Sequence, residues 1–361
     1  MSSTKRHAYG ALFVVLCLLT SACAKTNTAS QSTAGMFAAP SSDSSACAPT
    51  VVMGPLRDPQ PHPGMVWIPG AEFSMGSANT KFDDARPWHR VRLHGFWISA
   101  TTITNAEYAR FVRATGYVTV AERKPNPADF PDVPLSKLVP GSLVFAPPGH
   151  PVELNDDRQW WRFVPGANWR HPSGPNSSIA GRERYPVVQI SYEDAVVYAR
   201  WAHKRLPTEA EDEYAERGGL SCKRYAWGDM FNPGDKDMAN TFHGHFPDKS
   251  TAHNGHPDAM PVGSYPPNGY GLYDMSGNVW IWTSDWYQAD YYKTLAQKGV
   301  AIDPKGPPFS YDPKDPGVPK RSLRGGSFLC TDQFCSRYEV GGRGQEEPSS
   351  AANHIGFRLA D

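Results

Sequence analysis

Arg324-Gly325-Gly326-Ser327-Phe328-Leu329-Cys330, then Cys335-Ser336-Arg337-Tyr338 four residues later, and finally His354-Ile355-Gly356-Phe357-Arg358, hold the densest information in this chain. Two thiols stand five positions apart in a Gly-rich, aromatic segment with no strong helical period. A loop there can fold both sulfurs toward one point. Such a pair selects Cu(I) or zinc, or it oxidises to a disulfide. Tetrahedral zinc needs two more ligands, and no second paired Cys/His motif is present. Two readings of the pair stay open on chemistry alone: a structural disulfide, which an exported protein favours, and a copper or redox pair.

The rest of the chain narrows the class. Its 361 residues carry 36 basic and 36 acidic side chains, so no net field draws it to nucleic acid or anionic lipid. The high Gly, Pro and aromatic content predicts a loop-rich fold pinned by large side chains, not a long helical bundle. Lys5-Arg6-His7, the apolar run Ala11 to Leu19 and the small residues Ser21-Ala22 before Cys23 read as an export signal over residues 1–23. Cys23 stands at a lipoprotein-type processing position, with Thr20 where that motif prefers Leu. The mature protein is therefore expected to be periplasmic or anchored to the membrane through a lipidated Cys23. Residues 24–62 are rich in Ser, Thr, Ala and Pro and predict a flexible tether, with Cys47 as an incidental thiol in it.

Order is expected from 63 to 361 as one α+β domain. Met65 to Ile68, Pro69-Gly70 and Phe73 to Gly76 predict a hairpin, and Val91 to Ile98 a strand. Thr104 with Glu107, Ser191 with Asp194 and Thr208 with Glu211 are capping boxes that predict three helix starts. Asp83-Asp84 reads as a solvated loop.

Gly64 to Gly70, Gly166-Ala167-Asn168-Trp169-Arg170-His171-Pro172, Lys204 to Glu211, Pro267-Asn268-Gly269-Tyr270-Gly271-Leu272-Tyr273, Gly277-Asn278-Val279-Trp280 and Arg324 to Phe357 together resemble the formylglycine-generating enzymes, the sulfatase-modifying factor family. The resemblance covers almost all of the expected domain. It implies a C-type-lectin-like fold with little regular secondary structure. It also implies copper-dependent oxidation by O2 of a cysteine in a Cys-x-Pro-x-Arg segment of an unfolded sulfatase, giving Cα-formylglycine.

The resemblance further implies that Cys330 and Cys335 hold Cu(I), that Ser327 lies in the active site, and that Trp280 walls an oxygen pocket. Arg337 follows the second thiol and is expected in a structural ion pair. Two calcium sites are implied. The first comprises Asn240, the Thr241 carbonyl, Asn254 and the His256 carbonyl. The second comprises Asp274 and the carbonyls of Gly277 and Val279, but Ile281 stands where the family has Glu and offers no oxygen. Asp212 replaces a family Trp, Phe334 a Tyr, and His354 an Asn. The animal enzymes' disulfide partners are missing, so Cys222 is expected as a free thiol. The competing function is a non-catalytic, exported, lectin-like binding module on the same scaffold.

Overall fold

The computed structural model describes residues 47–57, 60, 62–252 and 257–361. The export signal, Cys23 and the tether as far as residue 46 lie outside them, as do Asn254 and His256.

Short strands appear along the chain: β1 (Val51–Val52), β2 (Met65–Ile68), β3 (Ala71–Met75), β4 (His89–Leu93), β5 (Phe96–Ser99), β6 (Gly141–Phe145), β7 (Trp161–Pro165), β8 (Gly244–His245), β9 (Lys249–Ser250), β10 (Trp280–Trp286), β11 (Ala301–Ile302), β12 (Arg321–Arg324), β13 (Arg343–Glu346) and β14 (Ile355–Gly356). One sheet runs β1-β3-β4-β11 and another β13-β12-β10-β14; β2 pairs β5, β6 pairs β7 and β8 pairs β9. Chain order and sheet order diverge, so most pairings are long-range and the loops carry the chain between sheets. The structure is thus mixed α and β with little regular secondary structure.

The hairpin expected across Pro69-Gly70 does not form. β2 pairs antiparallel with β5, placing Val66 opposite Ile98, while β3 pairs with β4, placing Phe73 opposite Val91. The turn instead passes the chain from one sheet to the next. The single strand expected over Val91–Ile98 is likewise two strands. Gly95 breaks it, lying against the Trp67 ring where a Cβ would collide.

All three capping boxes are formed. They start α1 (Asn105–Thr115), α2 (Tyr192–Trp201) and α3 (Glu209–Glu216), and a fourth short helix, α4, covers Tyr291–Ala296. Gly116 ends α1 at φ 67°, a left-handed conformation that glycine adopts without a Cβ penalty. Tyr108, Phe111 and Val112 fall on the inner face of α1, against Tyr198 of α2 and Phe357.

Every residue of α3 is buried, acidic ones included. Its carboxylates are matched by guanidiniums from the site-bearing sheet and from the helix's own C-terminal end. Arg324 donates to Glu213 at 2.9 Å, Arg343 donates to both oxygens of Glu209, and Arg217 donates to Glu213 at 2.6 Å. Removing one partner of such a pair leaves a buried charge and costs about 3–5 kcal/mol. Asp212 is the exception. Neither of its oxygens has a hydrogen-bond partner among the described residues, and burial pushes its carboxyl up to about 6 despite Arg358 and Arg324 nearby.

The ordered structure begins earlier than residue 63. β1 adds to the edge of β3, Ala48 exchanges hydrogen bonds with Ser74, and the Thr50 amide donates to Ser221 Oγ at 2.8 Å. These contacts bring Cys47 to Cys222, and the two form a disulfide. Cys47 is therefore no incidental thiol and Cys222 no free one. The sequence did not point to this pair, because Cys47 lies in the stretch whose composition reads as a tether. Asp83-Asp84 also departs from expectation: Asp84 is buried, accepting from the Tyr287 hydroxyl at 3.0 Å and pairing with Arg337 at 3.2 Å.

Candidate active site

The central strands β10 and β12 aim one loop at a single corner of the molecule. Arg324 anchors the end of β12 in the ionic core. Gly325 and Gly326 follow at φ 84° and 72°, and a Cβ on Gly325 would stand 2.7 Å from the Met275 carbonyl. Only glycine allows this turn. The chain then runs Ser327 to Cys330, held by the Phe328 amide donating to Asn278 O and the Cys330 amide to Ser327 O, both at 2.9 Å. The Thr331 carbonyl accepts from the amides of Phe334, Cys335 and Ser336, which turns the chain back on itself. Cys330 and Cys335 meet as a disulfide. Cys330 is buried and Cys335 half-buried, so one sulfur reaches toward the surface.

The wall beside the pair is aromatic. Phe334 is 44% exposed yet stacks on Phe246 at 4.8 Å and meets Trp160 edge-on at 5.3 Å. Gln333 holds the same turn from the other side. Its Oε1 accepts from the Phe246 amide, and its Nε2 donates to Gly244 O at 2.9 Å. The sequence singled out the loop's cysteines but not Gln333, because a lone amide carries no pattern.

Ser327 and His354 close the inner side. Ser327 Oγ accepts from the Leu329 amide at 3.2 Å and lies 3.1 Å from His354 Nδ1, within hydrogen-bond distance. Desolvation pushes the His354 imidazole down to about 3, leaving it neutral at physiological pH. The ring packs 4.7 Å from Trp161. Trp161 is half-buried, whereas its neighbour Trp160 is core. Trp280 is buried in the same apolar cluster as Cys330, against which Cys335 packs. Cys330, Cys335, Ser327 and Trp280 therefore share one corner, and the structure adds His354, Trp161 and Phe334 to it.

The residues named for calcium behave differently. Asn240 uses its Nδ2 to donate to Asp258 O at 2.9 Å and to Asn278 Oδ1 at 3.1 Å, and Thr241 is buried beside it. Their companions Asn254 and His256 lie outside the described residues. In the second set, Asp274 accepts from the Gly263 amide at 2.9 Å, and burial raises its carboxyl. Ile281 is buried in the apolar cluster with Phe145, Trp160 and Phe328. A hard cation there would face hydrocarbon where a fourth oxygen is needed, so the second set does not fit calcium.

Comparison with known proteins agrees with this geometry. A protein from Streptomyces coelicolor described as formylglycine-generating enzyme is 44% identical over 85% of this chain and 92% of its own length. A Mycobacterium tuberculosis protein of the same description is 46% identical over 81% of this chain and 96% of its own. Among solved structures, PvdO from Pseudomonas aeruginosa superposes with a TM-score of 0.53 at 25% identity, covering 82% of this chain and 93% of that one. The family model described as sulfatase-modifying factor enzyme 1-like domain matches residues 53–361, and the chain belongs to that family.

Proposed function

We propose that this protein is a formylglycine-generating oxidase that converts the cysteine of a Cys-x-Pro-x-Arg segment in an unfolded sulfatase to Cα-formylglycine. The observation that carries this reading is the Cys330–Cys335 pair: two sulfurs drawn together on a turn, one of them half-buried beside an exposed aromatic lip. Family relatives that bear the enzyme's description over nearly their whole length support it.

The reaction balances as follows. The substrate CH2–SH and O2, with two electrons and two protons from a thiol reductant, give the aldehyde, H2S and one water. Copper fits the donor set, because two soft sulfurs five residues apart suit Cu(I) once the bridge is reduced. Cys330 and Cys335 would hold it, and it would supply the one-electron chemistry that O2 requires. The chain's own residues do the remaining work. Phe334, Phe246 and Trp160 exclude water from one side of the pair, and Trp280 lines the buried side. Ser327, fixed by the Leu329 amide and His354, offers a positioned hydroxyl beside the sulfurs. His354, being neutral, orients that hydroxyl without adding charge.

Export is part of the proposal, and the Cys47–Cys222 bridge supports it, since such bridges persist in oxidising compartments. Calcium is part of the proposal at the first set alone: Asn240, the Thr241 carbonyl, Asn254 and the His256 carbonyl.

The test is mass spectrometry of a synthetic Cys-x-Pro-x-Arg peptide incubated in air with copper-loaded mature protein and a thiol. Aldehyde formation that needs copper and both cysteines is the expected result. An unchanged peptide, with protein shown folded and copper-loaded, would overturn the reading in favour of a binding module.

A further inference from the structure

Away from the cysteine loop, α1 forms one wall of an open groove of about 660 Å³. Ala106, Ala109, Arg110 and Arg113 line it, at the i, i+3, i+4, i+7 spacing that puts them on one face of the helix. Small residues thus form the floor of that wall and two guanidiniums its outer end. Trp169 and Ile179 face them across the groove.

Two features show that the groove is built to take something. Asn105 and Trp169 line it, and they are only 4% and 3% exposed. Yet Asn105 Oδ1 and Trp169 Nε1, both shut off from solvent, have no hydrogen-bond partner among the described residues. Asn105 Nδ2 is committed to Arg182 O at 2.9 Å, so the amide is held with its oxygen unspent. A buried acceptor and a buried donor left empty are costly, so a shift of this wall that uncovers them favours a ligand supplying both partners. The second feature is charge. Arg110 and Arg113 are exposed and have neither a hydrogen-bond nor an ion-pair partner among the described residues, while the third arginine of the groove, Arg170, is already paired with Glu122 and lies over the Trp169 ring. Glu183 is the one carboxylate among the lining residues.

From this we infer that the groove is an exosite for an acidic stretch of the client polypeptide, outside the segment that is oxidised. Once uncovered, Asn105 Oδ1 and Trp169 Nε1 match the N–H and C=O of a peptide unit, while small side chains fit against Ala106 and Ala109 and Asp or Glu side chains meet Arg110 and Arg113. A single small anion would use the arginines but leave the inner donor and acceptor unmet. The identity of the occupant as client rests on the oxidase reading; the chemistry of the groove does not.

The test uses the full mature protein and a dye-labelled, cysteine-free peptide carrying Glu and Asp, followed by fluorescence anisotropy. We expect saturable binding that weakens with added NaCl, at least ten-fold weaker binding to Arg110→Glu/Arg113→Glu, and no binding of the same peptide with Lys in place of its acids. Both arginines are exposed, and Arg110→Ala/Arg113→Ala repeats the measurement without added charge if the first variant folds poorly. In a second arm, the Cys-x-Pro-x-Arg peptide is assayed with and without that acidic extension. The extension should lower KM about ten-fold for the wild type and leave KM unchanged for the variant, with kcat equal throughout. Equal anisotropy for wild type and variant, or an extension that leaves wild-type KM unchanged while the peptide turns over, overturns the exosite. If neither peptide is oxidised, the oxidase reading fails, and anisotropy alone decides the groove.

Discussion

Cys47–Cys222 and Cys330–Cys335 are the same bond put to opposite uses. The first joins residues 175 apart and fastens an added edge strand to the sheet, with Cys222 exposed on the surface. The second joins residues five apart, inside a turn that backbone hydrogen bonds already close, next to a buried apolar cluster. On a chain-entropy scale the long bridge removes about 5 kcal/mol of unfolded-state freedom and the short one about 2 kcal/mol. A short bridge in a preformed turn therefore does little for the fold. On the proposed reading its value lies in the chemistry of two sulfurs that come together and part, whereas the long bridge serves the fold.

The largest effect expected from this contrast is on turnover. Cys330→Ser and Cys335→Ser should each lower kcat/KM for the peptide at least ~1000-fold, about 4 kcal/mol of barrier, while urea denaturation shows at most ~2 kcal/mol of lost stability. A variant that unfolds early but still oxidises peptide at the wild-type rate per folded molecule would reverse the assignment of the two bridges.

Cys47→Ser/Cys222→Ser should behave in the mirror image. Stability should fall by about 2–5 kcal/mol, with proteolysis starting in the segment before residue 57, and kcat/KM should stay unchanged. The bridge is far in sequence from the loop, and β1 touches only the edge of its sheet. Lost activity in a double variant that remains folded would show that the staple also shapes the site.

The two bridges also differ in how far sequence could reveal them. The short pair was legible because both thiols lie within one motif-dense stretch, and two residues five apart in a loop can always meet. The three helix starts were legible for a similar reason: a capping box is local chemistry, read off four residues. The long bridge was not legible. Cys47 lies among Ser, Thr, Ala and Pro, and only strand addition at the edge of β3, a tertiary event, carries it to Cys222. The Pro69-Gly70 turn failed as a hairpin signal for the same cause, since each flanking strand found a non-local partner. Asp84 resembled a solvated acid until Arg337, 253 residues later, neutralised it. In a fold of short strands the local pattern names the elements, while distant residues decide their partners.

Stability against pH separates the staple from the buried charges beneath the site. Disulfide stabilisation has no proton linkage near neutrality, whereas Asp212 does. Its carboxyl is raised from 3.8 to about 6 in the folded protein, so the folded state binds more protons than the unfolded chain between those values. Stability therefore falls as pH rises through that window, by up to about 3 kcal/mol, and the penalty is full above about 6. Asp212→Asn should recover much of it at pH 7.5 and little at pH 4, measured as the variant-minus-parent difference in chemical denaturation. The Cys47→Ser/Cys222→Ser loss should be the same at both pH values. A pH-independent gain for Asp212→Asn would mean that Arg358 and Arg324 already hold this carboxylate ionised.

The smallest effect tests the short bridge's own surroundings. Phe334 lies between the two loop cysteines, exposed over almost half its surface, and its ring meets Phe246 and Trp160. Aromatic contacts of this kind contribute about 0.5–1.5 kcal/mol each beyond burial. Phe334→Ala should therefore destabilise the whole domain by only about 1 kcal/mol. Its effect on the loop should be larger in kind, because the turn loses the ring that holds Cys335 against the wall while Gln333 still pins the opposite side. The expected signature is a rise in KM for the peptide and faster reaction of the reduced Cys335 thiol with a bulky alkylating reagent, with Cys330 still protected. Phe334→Tyr keeps the ring and should restore both. If Phe334→Ala leaves the Cys335 alkylation rate unchanged, the turn is held by its backbone hydrogen bonds and Gln333 alone, and the exposed ring serves the substrate instead of the loop.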